Sequence, residues 1–414
     1  MEHILRLRGL LWALLIGAAC FRGAPAYAGD ITLSGLLDTR AALAPGAGEA
    51  EAFSFGLEEY ANLRLLTDIG DYMTVRAAFN LIAAAGTPAR AADAVSAGGG
   101  GGSSLVSTGY VGGENYVAAM ELERLYCQID VAAANLEAGL MRLAFGYGQV
   151  FSPSDYLNPR NPLMPDARLR GILGVSGSFY PPIPDCFLLS RLTDARIQVF
   201  AAAPRNPLNS SGKGFLFGLL GEQHWETWSV QGMYHYEAPD GGSRYGVHRI
   251  GMSAKVDLVL GVTFDALYQY NHEEKTAVEG LSASVSADYS FYEGKCYVIG
   301  AYLFSGQDSS TSRGAAPSGF ANRHYGYAMF QYSFTDYTRA SIQFLASFED
   351  LSCTPVIGVE HEVFQGLTVS LTCQAPLDRD LFTGSGERGE LGPVPPGAGG
   401  GVYALFTLKA RLRF

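Results

Sequence analysis

The last stretch of the chain, Gly401 to Phe414, alternates without a break. Val402, Ala404, Phe406, Leu408, Ala410, Leu412 and Phe414 are apolar, while Tyr403, Leu405, Thr407, Lys409, Arg411 and Arg413 take the other face. A period of two is that of a β-strand, whose side chains point to opposite faces in turn. One face is oily and the other turns basic toward the end. Such a strand belongs either to the edge of a soluble β-protein or to a membrane barrel. The pattern recurs along the chain. Phe53, Phe55, Leu57, Ala61, Leu63 and Leu65 oppose Ser54, Glu58, Tyr60, Asn62 and Arg64. Met73 to Leu81 sets Thr74, Arg76 and Asn80 against apolar neighbours. Residues 262–271, 281–291 and 338–348 repeat it, with Asp265, Asp288 and Arg339 on their polar faces. No helical period of comparable strength appears.

A strand that alternates in this way and ends the chain on Phe resembles the C-terminal signal of bacterial outer-membrane β-barrels. That resemblance implies that Phe414 is read by the barrel-assembly machinery and that the last strand pairs with the first, Gly29 to Thr39. The spacing of the strands agrees. Long connections near 41–52, 83–114, 149–170, 204–213, 237–244, 272–280, 306–322, 349–354 and 378–400 alternate with short ones. The short ones lie near 67–71, 131–135, 222–225, 257–260, 292–295, 335–338 and 364–367. Outer-membrane barrels use short periplasmic turns and long external loops, whereas a soluble sandwich has no reason to keep its long loops on one side. The connection 181–193, with Pro181, Pro182, Pro184 and Cys186, breaks the rule. The reading is an all-β antiparallel transmembrane barrel of 18 strands, or 16 if strands merge at that exception. The first strand begins as soon as the leader ends, so no plug domain is expected. Two strands alternate poorly: in 115–130, Arg124 shares a face with Met120 and Leu122, and 295–306 is apolar on both faces.

Arg6 and Arg8, the apolar run Leu10 to Ala19 and the Ala26-Tyr27-Ala28 site read as a secretory signal over residues 1–28, leaving 29–414 as the barrel. Gly17-Ala18-Ala19-Cys20 is a loose lipoprotein box that offers a competing cut. The formal charge is −11, and loss of residues 1–28 leaves about −13. Acidity argues against a nucleic-acid partner. Charged residues are only 17% of the chain, while 51 Gly, 23 Tyr and 23 Phe suit interfacial belts and turns. Cys127, Cys186, Cys296, Cys353 and Cys373 are odd in number and form no C-x-x-C pair. Together with the scattered His residues, they offer no metal-ligand spacing. No cofactor is expected.

Met141 to Pro162 is the most specific segment. Arg142, Gly146 and Gly148, Phe151, Pro153 to Asp155 and Asn158 to Pro162 resemble the strand-to-loop segment of the alginate-export and related substrate-porin barrels. Pro165 to Gly171 resembles the charged stretch that follows it there. The resemblance implies a porin-like channel. Independently, four prolines stiffen this loop, and Asp155 and Asn158 can bond their own backbone. A stiff loop folded inward would narrow the lumen, with Arg142, Arg160, Arg168 and Arg170 facing Asp155, Asp166 and wall carboxylates. Opposed charges at a constriction select ions and orient polar solutes. Alternatively, the same charges form a salt-bridged external loop. The candidate lumen wall is Arg64, Arg76, Arg249, Asp265, Asp288, Arg339, Lys409 and Arg411.

Two functions fit. The first is an outer-membrane channel for passive diffusion of small polar solutes, embedded in outer-membrane lipid as a monomer or homotrimer. The second is a surface adhesin or antigen using loops 83–114 and 378–400. No recognisable Ser-His-Asp signature marks an enzyme, and none is expected.

Overall fold

The computed structural model describes residues 31–48, 51–86, 107–113, 116–158, 162–163, 171–182, 192–203, 215–239, 245–271, 280–306, 320, 322–377, 391 and 404–414. The signal segment therefore lies outside the described residues. Among those described, nineteen strands form one antiparallel sheet. They are β1 (Ile31–Gly48), β2 (Glu51–Ile69), β3 (Met73–Gly86), β4 (Ser107–Gly113), β5 (Tyr116–Val131), β6 (Ala134–Met141) and β7 (Ile172–Phe179). Then come β8 (Leu192–Ala203), β9 (Leu216–Trp225), β10 (Trp228–Glu237), β11 (Val247–Asp257), β12 (Gly261–Asn271) and β13 (Leu281–Phe291). The series ends with β14 (Cys296–Ser305), β15 (His324–Ser333), β16 (Thr338–Ser347), β17 (Cys353–Phe364), β18 (Leu367–Gln374) and β19 (Leu405–Arg413).

Eighteen of these close on themselves. Leu36 to Leu43 of β1 pairs antiparallel with Phe406 to Arg413 of β19. Closure removes the unpaired sheet edges, so every strand finds a partner on both sides. The terminal Phe414 finishes the seam, exchanging backbone hydrogen bonds with Gly35 at 2.8 and 3.1 Å. Its ring lies over the bare Cα of Gly35, where a Cβ would come within 2.5 Å of Cζ.

β4 is the nineteenth strand, and it stands apart from the closure. It lies inside the long connection expected over 83–114, and its Ser107 to Gly113 pair with Tyr116 to Glu121 of β5. That edge of β5 is open because β6 reaches up only to Leu125. The expected long connection at 41–52 is also absent: β1 runs to Gly48, and Gly48 pairs with Glu51. The strand expected over 135–148 ends at Met141. Pro184 and Cys186 of the 181–193 exception lie outside the described residues.

Both poorly alternating strands have a physical explanation. In β5, Ala78 pairs with Arg124 while Phe79 pairs with Leu122, so Glu123 has no opposite residue. This β-bulge shifts the alternation by one place. Met120 and Leu122 point outward, and Arg124 joins Glu123 inside, 2.7 Å away. In β14, the inward residues Ile299 and Leu303 are apolar because a chain segment is seated on them.

Candidate functional site: a tongue folded into the barrel

The site begins where β6 stops. After Met141 the chain leaves the wall and enters the lumen. Leu143 and Phe145 bury themselves on inward residues that break the polar pattern, namely Phe200 of β8, Leu216 and Leu220 of β9, Met233 of β10 and Leu267 of β12. The chain then runs to a tip at Val150 and Phe151 and doubles back through Ser152 to Asn158. The tip packs on a second apolar patch: Ile299 and Leu303 of β14, Tyr325 and Tyr327 of β15, Leu345 of β16, and Phe320. Two contacts hold the limbs together: Asn158 Nδ2 donates to the Leu143 carbonyl at 3.2 Å, and Ser152 Oγ lies 3.3 Å from the Phe145 carbonyl.

Ordering each residue costs about 1–2 kcal/mol of backbone entropy, so such a tongue needs anchors along its whole course. Five consecutive strands supply them. Tyr147 Oη donates to Glu222 of β9 at 2.5 Å, and Gly146 N to Gln231 of β10 at 2.6 Å. Tyr147 N donates to Ser253 of β11 at 2.8 Å, and Ser152 Oγ to Asp265 of β12 at 2.8 Å. From β13, Ser284 Oγ donates to the Phe151 carbonyl at 3.1 Å, while Asp288 accepts from Gln149 at 3.1 Å.

Gly146 permits the close approach. Its φ is +77°, and a Cβ there would overlap Ser154 Oγ and lie 2.7 Å from Asp265 Oδ2. The return limb is latched by Tyr156, whose Oη meets His235 Nδ1 at 3.1 Å. Arg249 lies 4.3 Å over its ring, a cation–π geometry. The same guanidinium donates to Glu237 at 2.8 Å and to Gln269 at 3.0 Å. Burial pushes the Tyr147 phenol up from its ordinary range, and the hydrogen bond to the Glu222 carboxylate adds to the shift. Burial raises the Tyr156 phenol too, against the opposing charge of Arg249. Both phenols remain neutral at physiological pH.

The wall across from the tongue is polar and internally bonded. Asn62 Nδ2 donates to Asn80 at 2.6 Å and to Glu123 at 2.7 Å, and Arg64 Nε to Asn62 at 2.6 Å. Along the seam, Asp38 is 1% exposed and faces three cations: Arg411 at 2.8 Å, Lys409 at 3.5 Å and Arg40 at 3.6 Å. Among the described residues, no group of three His, Cys, Asp or Glu side chains converges as metal ligands.

The expected site residues thus divide. Arg142 is half-buried at the root of the tongue. Asp155 is 0% exposed and Asn158 is buried, so both belong to the tongue's interior. Arg160, Asp166, Arg168 and Arg170 lie outside the described residues. Arg249 and Asp265 are buried under the tongue, and Asp288 touches its outgoing limb. Arg64 and Arg76 are exposed on the inner wall, and Arg339 pairs with Glu360 there. Lys409 and Arg411 both engage Asp38. The last strand therefore does not carry a bare positive rim. Sequence reasoning missed Glu222, Gln231, His235 and Ser253. Their readable signal was indirect: apolar residues such as Leu220, Leu267, Leu303 and Leu345 at inward positions of otherwise polar-faced strands.

The closed 18-strand barrel, with no plug domain among the described residues, is a porin-like fold. No family model matches the chain, and no curated protein matches its sequence. Solved structures do resemble it. OccAB1 of Acinetobacter baumannii superposes with a TM-score of 0.54 at 9% identity, over 95% of this chain and 98% of that one. OccAB4 of the same species gives 0.52 at 10% identity, over 94% and 100%. At such identity the likeness is one of fold.

Proposed function

We propose that the chain is an outer-membrane channel through which small polar solutes diffuse down their gradients, with the tongue as its constriction. One observation carries this reading: a segment entering from β6 is pinned inside a closed barrel by hydrogen bonds from β9 to β13. A segment merely connecting two strands would run over the surface, since buried backbone needs partners. Here the wall supplies those partners, at the expense of open lumen.

The path left open runs between the tongue and the wall of β17 to β19 and β1 to β5. Arg64, Arg76 and Arg339 reach into it, with Arg142 at the root of the tongue. Fixed charges at close quarters bias ion passage and orient dipolar solutes. No bond is made or broken, so no catalytic group is assigned. The apolar outer face suits lipid, and Phe414 is proposed as the residue offered to the barrel-assembly machinery. A homotrimer is compatible with this face, because subunit and lipid contacts are both apolar.

The test is electrical. Purified barrel in a planar bilayer is expected to give discrete conductance steps with a reproducible unit size. A barrel that is inserted, as judged by heat-modifiable mobility, and never conducts would overturn the channel reading.

A further inference from the structure

Among the described residues, seven short turns lie at one end of the barrel, and in the proposed channel this end faces the periplasm. Six have polar or small central residues, Gly70-Asp71, Ala132-Ala133, Glu226-Thr227, Glu293-Gly294, Thr335-Asp336 and Gln365-Gly366, with the aromatics Tyr72, Tyr292, Phe334 and Tyr337 flanking three of them. The seventh, between β11 and β12, is Leu258-Val259-Leu260, with exposures of 71%, 83% and 44%. Three large apolar side chains at the apex of a turn are out of place in water.

They are not isolated. Ile250, Met252, Ala254 and Val256 point outward on β11, and Leu258 continues their parity. Leu260 opens the matching outward row of β12, which runs through Val262, Phe264 and Ala266. The oily stripe therefore passes around the turn without a polar break. Beside it lie Trp225 and Trp228, stacked at 3.9 Å with an interplanar angle of 4°. Trp228 pairs with Val256, and Asp257 N donates to the Thr227 carbonyl at 2.7 Å, so the two turns are tied together. Five apolar side chains thus make one patch, continuous with the outer face of the barrel.

We propose that this patch is a lipid anchor: the Trp pair and the Leu258–Leu260 turn, which lies one step beyond it toward the end of the barrel, sit together at the headgroup boundary of the inner leaflet. The inference rests on the membrane-channel reading above and deepens it. Indoles favour that boundary because one edge is apolar and the other donates a hydrogen bond. Continuity with the lipid-facing stripe selects lipid over a soluble partner, because a protein docked on the turn would leave the stripe beside it unchanged. A turn sunk on one side fixes the depth and lean of the barrel in its bilayer.

The three Trp residues of the chain are Trp12, Trp225 and Trp228, so residues 29–414 carry Trp only in this patch. The experiment places a single reporter at the apex: V259W in a W225F/W228F background, refolded as residues 29–414 into phospholipid vesicles. Insertion is read in the same sample by heat-modifiable mobility and protease protection. Lipids brominated on the acyl chain are expected to quench the reporter several-fold more than acrylamide does, with blue-shifted emission. An inserted barrel whose reporter is quenched by acrylamide and not by bromine overturns the anchor alone and assigns the turn to water or a soluble partner. Failure of both this variant and the unsubstituted chain to insert overturns the channel reading and the anchor together. Should only the variant fail, the native Trp pair in the unsubstituted barrel is the readout, and absence of bromine quenching there likewise overturns the anchor.

Discussion

Asp38 on the first strand receives both Nε and Nη2 of Arg411 on the last strand, each at 2.8 Å. The pair is a bidentate, charge-assisted fork across the seam, with the carboxylate almost wholly buried. Removing the carboxylate leaves Arg40, Lys409 and Arg411 facing one another. Breaking a buried pair typically costs about 3–5 kcal/mol. The cations here are partly exposed, which moderates the loss to about 2–3 kcal/mol. D38A is therefore expected to lower the urea midpoint of the barrel in detergent or lipid. R411A should lower it less, because Lys409 and Arg40 still neutralise Asp38. Equal midpoints for D38A and wild type would mean that the seam is held by its backbone ladder alone.

Gly146 sits where no side chain fits. G146V is expected to push the outgoing limb off Ser154 and Asp265 and so expel the tongue while leaving the strands closed. The single-channel conductance step should rise, with heat-modifiable mobility unchanged. An unaltered step would separate the tongue from the conductance-limiting constriction.

Phe151 fills the apolar seat on β14 to β16. F151A removes a buried aromatic, a change that costs about 3–5 kcal/mol in a rigid core. Here the loss falls on tongue docking, because the ring joins the tongue to the wall and not strand to strand. Protease cleavage within the tongue should become several-fold faster. The unfolding midpoint of the barrel should shift by far less than in D38A.

Alkali tests the two phenols. Tyr147 and Tyr156 have raised pKa values in the folded tongue, so their contribution is fully present below the unfolded value of about 10. It is lost as pH rises past that value toward the folded ones. Conductance is expected to hold steady from pH 7 to about 10 and to drift upward beyond. In Y147F, which lacks the ionisable group facing Glu222, the onset should move to higher pH. Ionisation of all phenols at the ordinary pH, followed by absorbance near 295 nm, would show that the tongue does not protect them.

Much of the barrel was legible because the period of two is local. Met73 to Leu81 declares its faces without reference to any other strand, and the short turns punctuate the rest. The tongue's entry was partly legible, since Gly146, Phe151 and the prolines mark a stiff departure from a strand. Its destination was not. Gln231 and Ser253 look like any inward polar residue until the chain that needs them arrives 85 and 106 positions away. Asp155 misled for the same reason. The sequence places it opposite arginines at a constriction, whereas the folded tongue encloses it. Arg124 was obscured by a bulge, which shifts parity while leaving residue types unchanged.

The tongue's anchors also impose a timetable. Phe151 waits for Ser284, 133 residues further on, and Gln149 waits for Asp288, 139 residues further on. Until β13 is in place, the Phe151 carbonyl and the Gln149 side chain lack these wall partners. Contacts of such separation form late. The aperture can therefore be completed only after β9 to β13 have joined the wall.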